Sequence, residues 1–134
     1  MVTIDATGLV LGRMSTYIAK RLLSGEQVNV INCEKAVVSG SKSKVERLKK
    51  LRDMGGPFHG PFYPKRADRV VKRTIRGMLP YKQARGRDAF SRVRCYLGQP
   101  DGIDMKNFIS IPEASGDKIA AIKTITIKQL VEHI

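Results

Sequence analysis

The first 32 residues alternate between two hydrophobic periods, and this alternation constrains the fold more than any other feature of the chain. Residues 2–5 are a short β-prone run, and residues 27–32 are a second apolar run of strand length. Between them lies a segment with the period of an amphipathic helix, which a Ser-Gly pair ends. Its apolar positions are Leu11, Met14, Ile18 and Leu22. Strand, helix, strand in this order implies a right-handed crossover, so the sequence predicts an α/β fold with a parallel sheet.

The length of 134 residues fits one domain. A chain of this size buries roughly two thirds of its unfolded surface, enough for a core without disulfides. No apolar run approaches the roughly 18 residues that cross a bilayer, and the N-terminus lacks the basic start and apolar run of a signal peptide. We therefore expect a single cytosolic domain over residues 1–134, and we find no internal repeat.

The cysteine and histidine patterns predict no metal site, cofactor or disulfide. Cys33 and Cys95 stand far apart, with no CxxC pair and no histidine cluster, and both lie in apolar, strand-like runs. We interpret them as small buried side chains. His59 and His133 are isolated from each other and from any acid in sequence, so we expect surface or packing roles for both.

The positive charge is confined to one part of the chain. The net charge is +13, and residues 42–94 hold 17 Lys and Arg against 4 Asp and Glu, whereas the remainder holds 8 of each sign. A localised field of this kind attracts a polyanion and holds it at one surface. The distribution therefore predicts a nucleic-acid partner for residues 42–94.

A helix beginning near residue 67 joins an apolar stripe to a row of cations. A solvated helix face usually mixes charges of both signs, and the imbalance here favours a binding face. The apolar stripe holds Ala67, Val70, Val71, Ile75 and Met78. The cationic row holds Arg69, Lys72, Arg73 and Arg76, with Asp68 as counterweight. The Leu79-Pro80 step is predicted to end this helix.

The neighbouring segments extend the positive surface. We expect a basic helix from residue 42 to about residue 52, a second helix over residues 83–93 and a strand over residues 93–97. Residues 36–38 are a candidate third strand, residues 103–118 read as a turn-rich excursion, and Thr126 is predicted to cap a final short helix. The loop of residues 55–64 carries three aromatic side chains, Phe58, Phe62 and Tyr63, for which we favour packing into the protein or its complex over specific base stacking.

Two glycine-containing turns resemble nucleotide-binding loops but fail on spacing. A phosphate-binding loop needs two glycines five positions apart and a lysine directly after the second. If Gly40 were the second glycine, Lys35 would stand where the first is needed, and Ser41 separates Gly40 from Lys42. Gly8 and Gly12 are in the wrong register for a dinucleotide fingerprint. What remains is a helix N-terminus near Lys42 and Lys44 that can hold one RNA phosphate. No Ser-His-acid set or carboxylate pair emerges, so the residues argue against an enzyme without excluding one.

Three stretches of the sequence resemble one family. Residues 70–100, VVKRTIRGMLPYKQARGRDAFSRVRCYLGQP, closely resemble the signature region of the ribosomal protein L13 family of the large subunit. Residues 4–40 are similar to that family's opening strand-turn-helix-strand unit, and residues 55–70 to the loop before its signature helix. Residues 76–80, RGMLP, are the most specific piece. The short N-terminus, the KQARGRDAF continuation and the lack of a long C-terminal extension favour an archaeal-type form.

The resemblance implies a three-layer α/β/α sandwich around a small, mainly parallel four-stranded sheet. It also implies a structural and assembly role on large-subunit ribosomal RNA in the cytoplasm, beside neighbouring ribosomal proteins. The candidate RNA-binding residues are drawn from the basic part of the chain, residues 42–94, which we expect to form one continuous cationic surface. These are Lys42, Lys44, Arg47, Lys49, Lys50, Arg66, Arg69, Lys72, Arg73, Arg76, Gly77, Lys82, Arg85 and Arg87.

Gly77 has two interpretations. It can let the chain turn away without a side chain that would obstruct the core or the RNA, or it can be a plain helix C-cap. Two other functions also stay open at this point. An architectural DNA-binding protein would need the same localised charge, and a phosphate-using α/β enzyme would employ Lys42 or Arg13.

Overall fold

The computed structural model describes residues 1–40, 42–57, 60, 62–103, 108–119 and 123–133, without the side chain of Lys42. The chain opens with β1 (Val2–Asp5), α1 (Leu11–Leu23) and β2 (Val28–Ile31), which confirms the predicted strand-helix-strand unit. The following elements are β3 (Val37–Ser39), α2 (Lys42–Asp53), α3 (Ala67–Gly77), α4 (Ala84–Ser91), β4 (Val93–Cys95), β5 (Phe108–Ile109), β6 (Thr124–Thr126) and α5 (Ile127–Glu132).

The main sheet has four parallel strands in the order β4-β2-β1-β5. Val28 of β2 is in register with Val2 on one side and Val93 on the other. All four residues of β2 are buried, as expected of a strand covered on both faces of a parallel sheet. Helices flank this sheet, so the predicted α/β sandwich with a small parallel sheet is confirmed.

The core lies between the sheet and the helices α1 and α3. Ile4 and Val30 of the sheet pack in one apolar cluster with Ile18 of α1 and with Val71 and Ile75 of α3. All five side chains are fully buried. Because α3 contacts both α1 and β4, the core fixes the orientation of α3 about its own axis.

The candidate strand over residues 36–38 is confirmed as β3, although it lies outside the main sheet, whereas β5 was not predicted. β3 leaves the main sheet and pairs antiparallel with β6, with Val37 opposite Thr126. The chain turns away after β2 because Asn32 adopts a left-handed conformation with φ of 53° and a 3-10 turn follows it. The fourth place in the sheet is taken by β5, which pairs with Thr3 and Ile4 of β1 inside the stretch predicted as turn-rich.

The chain after α3 follows the prediction more closely. The expected helix over residues 83–93 is observed as α4, and its last two predicted residues instead form the C-cap and the first residue of β4. The Arg92 guanidinium donates to the carbonyl of Leu22 at 2.9 Å and ties this junction to α1. Thr126 caps α5 in a capping box with Gln129, as predicted for the final helix.

Candidate nucleic-acid interface

The cationic row of α3 points away from the core. Ala67, Val71 and Ile75 are buried along one side of the helix, whereas Arg69 is exposed and the other cations of the row are half-buried. The apolar stripe is therefore confirmed for most of its length. It is wrong at its end, where Met78 is 39% exposed and Leu79 is buried in its place.

These cations line a groove of about 650 Å³ between α3 and residues 62–66, which we call the α3 groove. Its cationic side chains are Lys65, Arg66, Arg69, Lys72, Arg73 and Arg76. Phe62, Tyr63 and Phe90 add aromatic surface, and no acid is among the described residues that line it. Six positive charges around one concave surface create a field that attracts an anionic chain.

Asp68 is the acid beside the groove, and it offsets only one of these charges. Its Oδ2 lies 3.2 Å from a guanidinium nitrogen of Arg66. Its Oδ1 is buried and has no hydrogen-bond partner among the described residues. A carboxylate in the first turn of α3 also interacts favourably with the helix dipole, which gives Asp68 a role in the helix itself.

Aromatic rings contact three cations of α3, Lys72, Arg73 and Arg76, without neutralising them. The Lys72 ammonium lies 5.2 Å from the centre of the Phe90 ring, and the Arg76 guanidinium lies 5.0 Å from the centre of the Tyr81 ring. Such contacts order a charged side chain by cation–π attraction, and unlike a salt bridge they leave its net charge available to a partner.

Arg73 differs from its neighbours because it builds one wall of the groove. Its guanidinium is 4.1 Å from the centre of the Tyr63 ring, and it donates a hydrogen bond of 3.1 Å to the backbone carbonyl of Phe62. Both contacts fix residues 62–64 against α3. Arg73 therefore has a structural role, although a guanidinium carries five N–H donors and several remain for a ligand.

The second predicted segment, α2, lies beside the same loop. Leu48 of α2 shares a smaller cavity of about 210 Å³ with Tyr63, Pro64, Val70 and Thr74. The predicted cations Lys44, Arg47, Lys49 and Lys50 are all exposed on this helix. Arg52 instead lies 3.7 Å from Asp53. The side chain of Lys42 and the whole of Phe58 fall outside the described residues.

The third segment follows the end of α3. Lys82, Arg85 and Arg87 are exposed on the turn after α3 and on α4. Gly86 allows α4 to pack closely against this turn, because a Cβ added there would lie 1.9 Å from the Pro80 carbonyl oxygen. Sequence reasoning missed Gly86, although a glycine in the middle of a predicted helix was a signal of close packing.

Gly77 has no such internal reason to be glycine. It is the last residue of α3, it is exposed, and a Cβ added there would have nothing within 4 Å among the described residues. The C-cap of α3 is Met78, and the φ of Gly77 is not in the left-handed region, so the interpretation of Gly77 as a plain helix C-cap is wrong. Neither the core nor the turn requires a glycine at this position.

The two cysteines lie closer together than their separation in sequence suggested. Cys95 of β4 is in register with Val30 of β2, and Cys33 lies just after the end of β2. The fold therefore brings both cysteines to the same end of the sheet. A hydrogen bond with the Cys95 thiol, together with burial, raises the pKa of the buried Cys33 thiol. Both are free thiols; Cys33 is buried as predicted, whereas Cys95 is only half-buried.

The two cations considered for an enzyme lie on different helices, Arg13 on α1 and Lys42 at the start of α2. The Arg13 guanidinium is 3.4 Å from the carbonyl oxygen of Glu113. In the described part of the chain, no three His, Cys, Asp or Glu side chains gather as a metal site. No described helix is long and apolar enough to cross a membrane.

A parallel α/β domain with such a row of cations along one helix is suited to the class of proteins that bind a polyanion. Comparison with known proteins narrows this class. Residues 1–101 match the family model of ribosomal protein L13. The large ribosomal subunit protein uL13 of Methanococcoides burtonii is 46% identical over 128 residues, which cover 95% of this chain and 92% of that protein.

Two further archaeal relatives match over nearly the whole chain. The uL13 protein of Methanosarcina barkeri is 46% identical, with 100% of this chain and 97% of the relative covered. That of Archaeoglobus fulgidus is 44% identical, with coverage of 98% and 85%. The chain belongs to the ribosomal protein L13 family. This confirms the predicted family and the predicted class, a structural ribosomal protein and not an enzyme.

Proposed function

We propose that the chain is a structural constituent of the large ribosomal subunit that binds and stabilises large-subunit ribosomal RNA in the cytoplasmic ribosome. The RNA-binding surface is the cationic face, defined as the α3 groove with the exposed cations of α2, α4 and the turn between α3 and α4. The observation that carries the proposal is the α3 groove itself, in which six cations surround one concave surface.

Binding follows from the electrostatics of this face. RNA phosphates condense counterions, and each phosphate that a cation neutralises releases them into solution. Affinity for RNA therefore falls steeply as salt rises. The core contributes by fixing the spacing of the cations, since Val71 and Ile75 anchor α3 and the absence of a side chain at Gly86 lets α4 pack closely against the turn after α3.

The side chains of the cationic face have two roles, contact with RNA phosphates and support of the groove. Arg69, Lys72 and Arg76 present free donors to phosphates, and the planar guanidinium of arginine can bridge two phosphate oxygens where lysine acts as a point charge. Arg73 mainly shapes the groove. The remaining surface is free to contact neighbouring large-subunit proteins, and through both kinds of contact the protein supports subunit assembly.

The first test compares two nucleic acids under matched salt. Deproteinised large-subunit ribosomal RNA of Methanosarcina barkeri and a duplex DNA of equal nucleotide number are titrated against the protein by filter binding. We expect clearly tighter binding of the ribosomal RNA. Equal affinity for the two would favour an architectural DNA-binding protein and would contradict the proposal.

The second test locates the surface in the assembled particle. Native ribosomal particles are crosslinked and the RNA-linked peptides of this chain are identified. We expect crosslinks on α2, α3 and α4. Crosslinks concentrated outside residues 42–94 would show that another surface meets the RNA.

A further inference from the structure

We propose that the Phe62 side chain is a stacking platform for an unpaired nucleobase of the RNA that occupies the α3 groove. The inference rests on the proposed function and adds a ligand class to it: a nucleotide outside a duplex, with its base on Phe62 and its phosphate among the cations of α3.

The first observation is the exposure of the ring. Phe62 is 73% exposed, whereas the two other aromatic residues that line the groove, Tyr63 and Phe90, are half-buried. Those two rings also carry a cation, Arg73 on Tyr63 and Lys72 on Phe90. Of the three, Phe62 therefore offers the most open ring. Packing into the protein or its complex is predicted for the loop aromatics: Tyr63 packs against Arg73, whereas the Phe62 ring is exposed on this chain.

The second observation is that the exposed ring is attached to an ordered backbone. The Arg73 guanidinium holds the Phe62 carbonyl oxygen at 3.1 Å, next to its contact with the Tyr63 ring. The ring is thus presented from an anchored point at the edge of the groove. An anchored ring loses less conformational freedom when a ligand covers it, which makes an exposed phenylalanine useful for binding.

The third observation is the charge around the ring. Arg69, Lys72 and Arg76 line the groove together with Phe62. A planar apolar surface beside several cations matches a nucleotide, which has a flat base and an anionic phosphate. A basic or purely apolar protein segment would be repelled or would leave the cations without partners. Bases in a duplex stay stacked on each other, so the match is to an unpaired base.

The test begins with three substitutions of Phe62 in the full chain. Phe62→Leu removes the π-face and keeps the apolar side chain, whereas Phe62→Tyr and Phe62→Trp retain an aromatic ring. Stacking on one base predicts that Phe62→Leu weakens binding of the Methanosarcina barkeri large-subunit RNA by roughly 5- to 150-fold. Both aromatic variants should bind as tightly as the wild type.

The salt dependence separates stacking from charge. Phe62→Leu should leave the slope of log affinity against log salt unchanged because no ion is displaced by the ring. Arg69→Ala should reduce the magnitude of that slope by about 0.7 to 1. Wild-type affinity in Phe62→Leu, with a reduced slope in Arg69→Ala, would overturn the stacking proposal and leave the proposed function intact. Failure of the wild type to bind the RNA would overturn both.

A fluorescence measurement observes the contact directly. The chain contains no tryptophan, so Phe62→Trp creates a single reporter. Stacking on a base should quench its emission when the RNA is added. Phe108→Trp, on β5 at the edge of the sheet and also exposed, is the matched control and should keep its emission. Unchanged Phe62→Trp emission in a protein that binds the RNA would overturn the proposal.

Discussion

Two glycines near the end of α3 illustrate how the same residue type serves different purposes. Gly86 is buried against the Pro80 backbone, where a Cβ would lie 1.9 Å from the carbonyl oxygen. Gly77 is exposed, and a Cβ there would meet no described atom within 4 Å. The fold therefore requires glycine at position 86, whereas the described residues give no such requirement at position 77.

Alanine should lower stability at position 86 and not at position 77. Gly86→Ala forces α4 and the turn apart, and we expect the free energy of unfolding to fall by about 3 kcal/mol, as for severe overpacking. Gly77→Ala improves helix propensity and should leave stability unchanged or raise it by up to about 1 kcal/mol. Urea unfolding of the two variants measures both values. Equal destabilisation by the two substitutions would contradict this assignment.

The RNA affinity of Gly77→Ala tests the candidate role of Gly77. If RNA approaches the end of α3 closely, an added methyl group should weaken binding of large-subunit RNA in a protein that folds as well as the wild type. Filter binding at fixed salt measures this effect. Unchanged affinity would remove Gly77 from the RNA-binding residues.

Asp5 makes the stability of the domain depend on pH. Its Oδ1 accepts hydrogen bonds from the Thr7 backbone N–H at 2.9 Å, the Thr7 hydroxyl at 2.7 Å and the Asn32 amide at 3.0 Å. Partial burial favours the neutral acid, but these hydrogen bonds and the nearby Lys35 charge lower the pKa of Asp5 below its ordinary value of 3.8. The carboxylate thus links the end of β1 to the turn after β2.

Because the pKa of Asp5 is lower in the folded state, Asp5 makes the free energy of unfolding decrease as the pH falls. The stabilisation is complete above the unfolded pKa, near 3.8, and is lost as pH falls through the still lower folded pKa. We expect the free energy of unfolding to decrease below about pH 4, and Asp5→Asn to flatten this part of the curve. Urea titrations at a series of acidic pH values measure the change. An unaltered acid limb in Asp5→Asn would assign the acid sensitivity to other carboxylates.

At the scale of elements, the sequence predicted best what depends on local periodicity. The two faces of α3 follow from the spacing of Val71 and Ile75 against that of Arg69 and Arg76, and burial agrees with that spacing. β5 could not be predicted in the same way. It has only two residues, and its strand conformation comes from pairing with β1, which is distant in sequence.

The candidate site shows the same division between local and distant contacts. The cations could be named from charge alone, because 17 of the 25 Lys and Arg residues fall between residues 42 and 94. Their aromatic partners could not, since the Arg73–Tyr63 contact requires the loop to fold back on α3. Composition therefore identified the charges of the cationic face, whereas only the fold shows that Arg73 shapes the groove.

Arg69 and Arg73 should consequently respond differently to the same substitutions. Arg69→Ala loses a phosphate contact, so both affinity and the salt slope should fall, the slope by about 0.7 to 1. Arg73→Lys keeps the charge and loses the planar contact with Tyr63, so affinity should fall while the slope stays near the wild-type value. Hydrogen exchange at residues 62–64 should rise in Arg73→Lys only. Equal exchange in the two variants would contradict the structural role of Arg73.

At the scale of the whole molecule, we expect the position of the positive charges to affect RNA binding more than their number. Residues 42–94 carry the entire net charge of +13, and the rest of the chain is neutral on balance. α3 carries its cations on one side because its other side is buried against α1 and the sheet. A polyanion therefore meets ordered cations on one face and a balanced surface elsewhere.

Two triple variants with the same loss of charge separate position from amount. The first replaces Arg69, Lys72 and Arg76 with alanine, and the second replaces Lys118, Lys123 and Lys128, which are exposed outside the cationic face. Each removes three positive charges, so a response to net charge alone would weaken RNA binding equally. We expect the salt slope to fall by roughly 2 to 3 in the first variant and to stay near the wild-type value in the second. Equal losses would mean that the protein binds RNA as a diffuse cation, and the arrangement of α3 would then have no role in recognition.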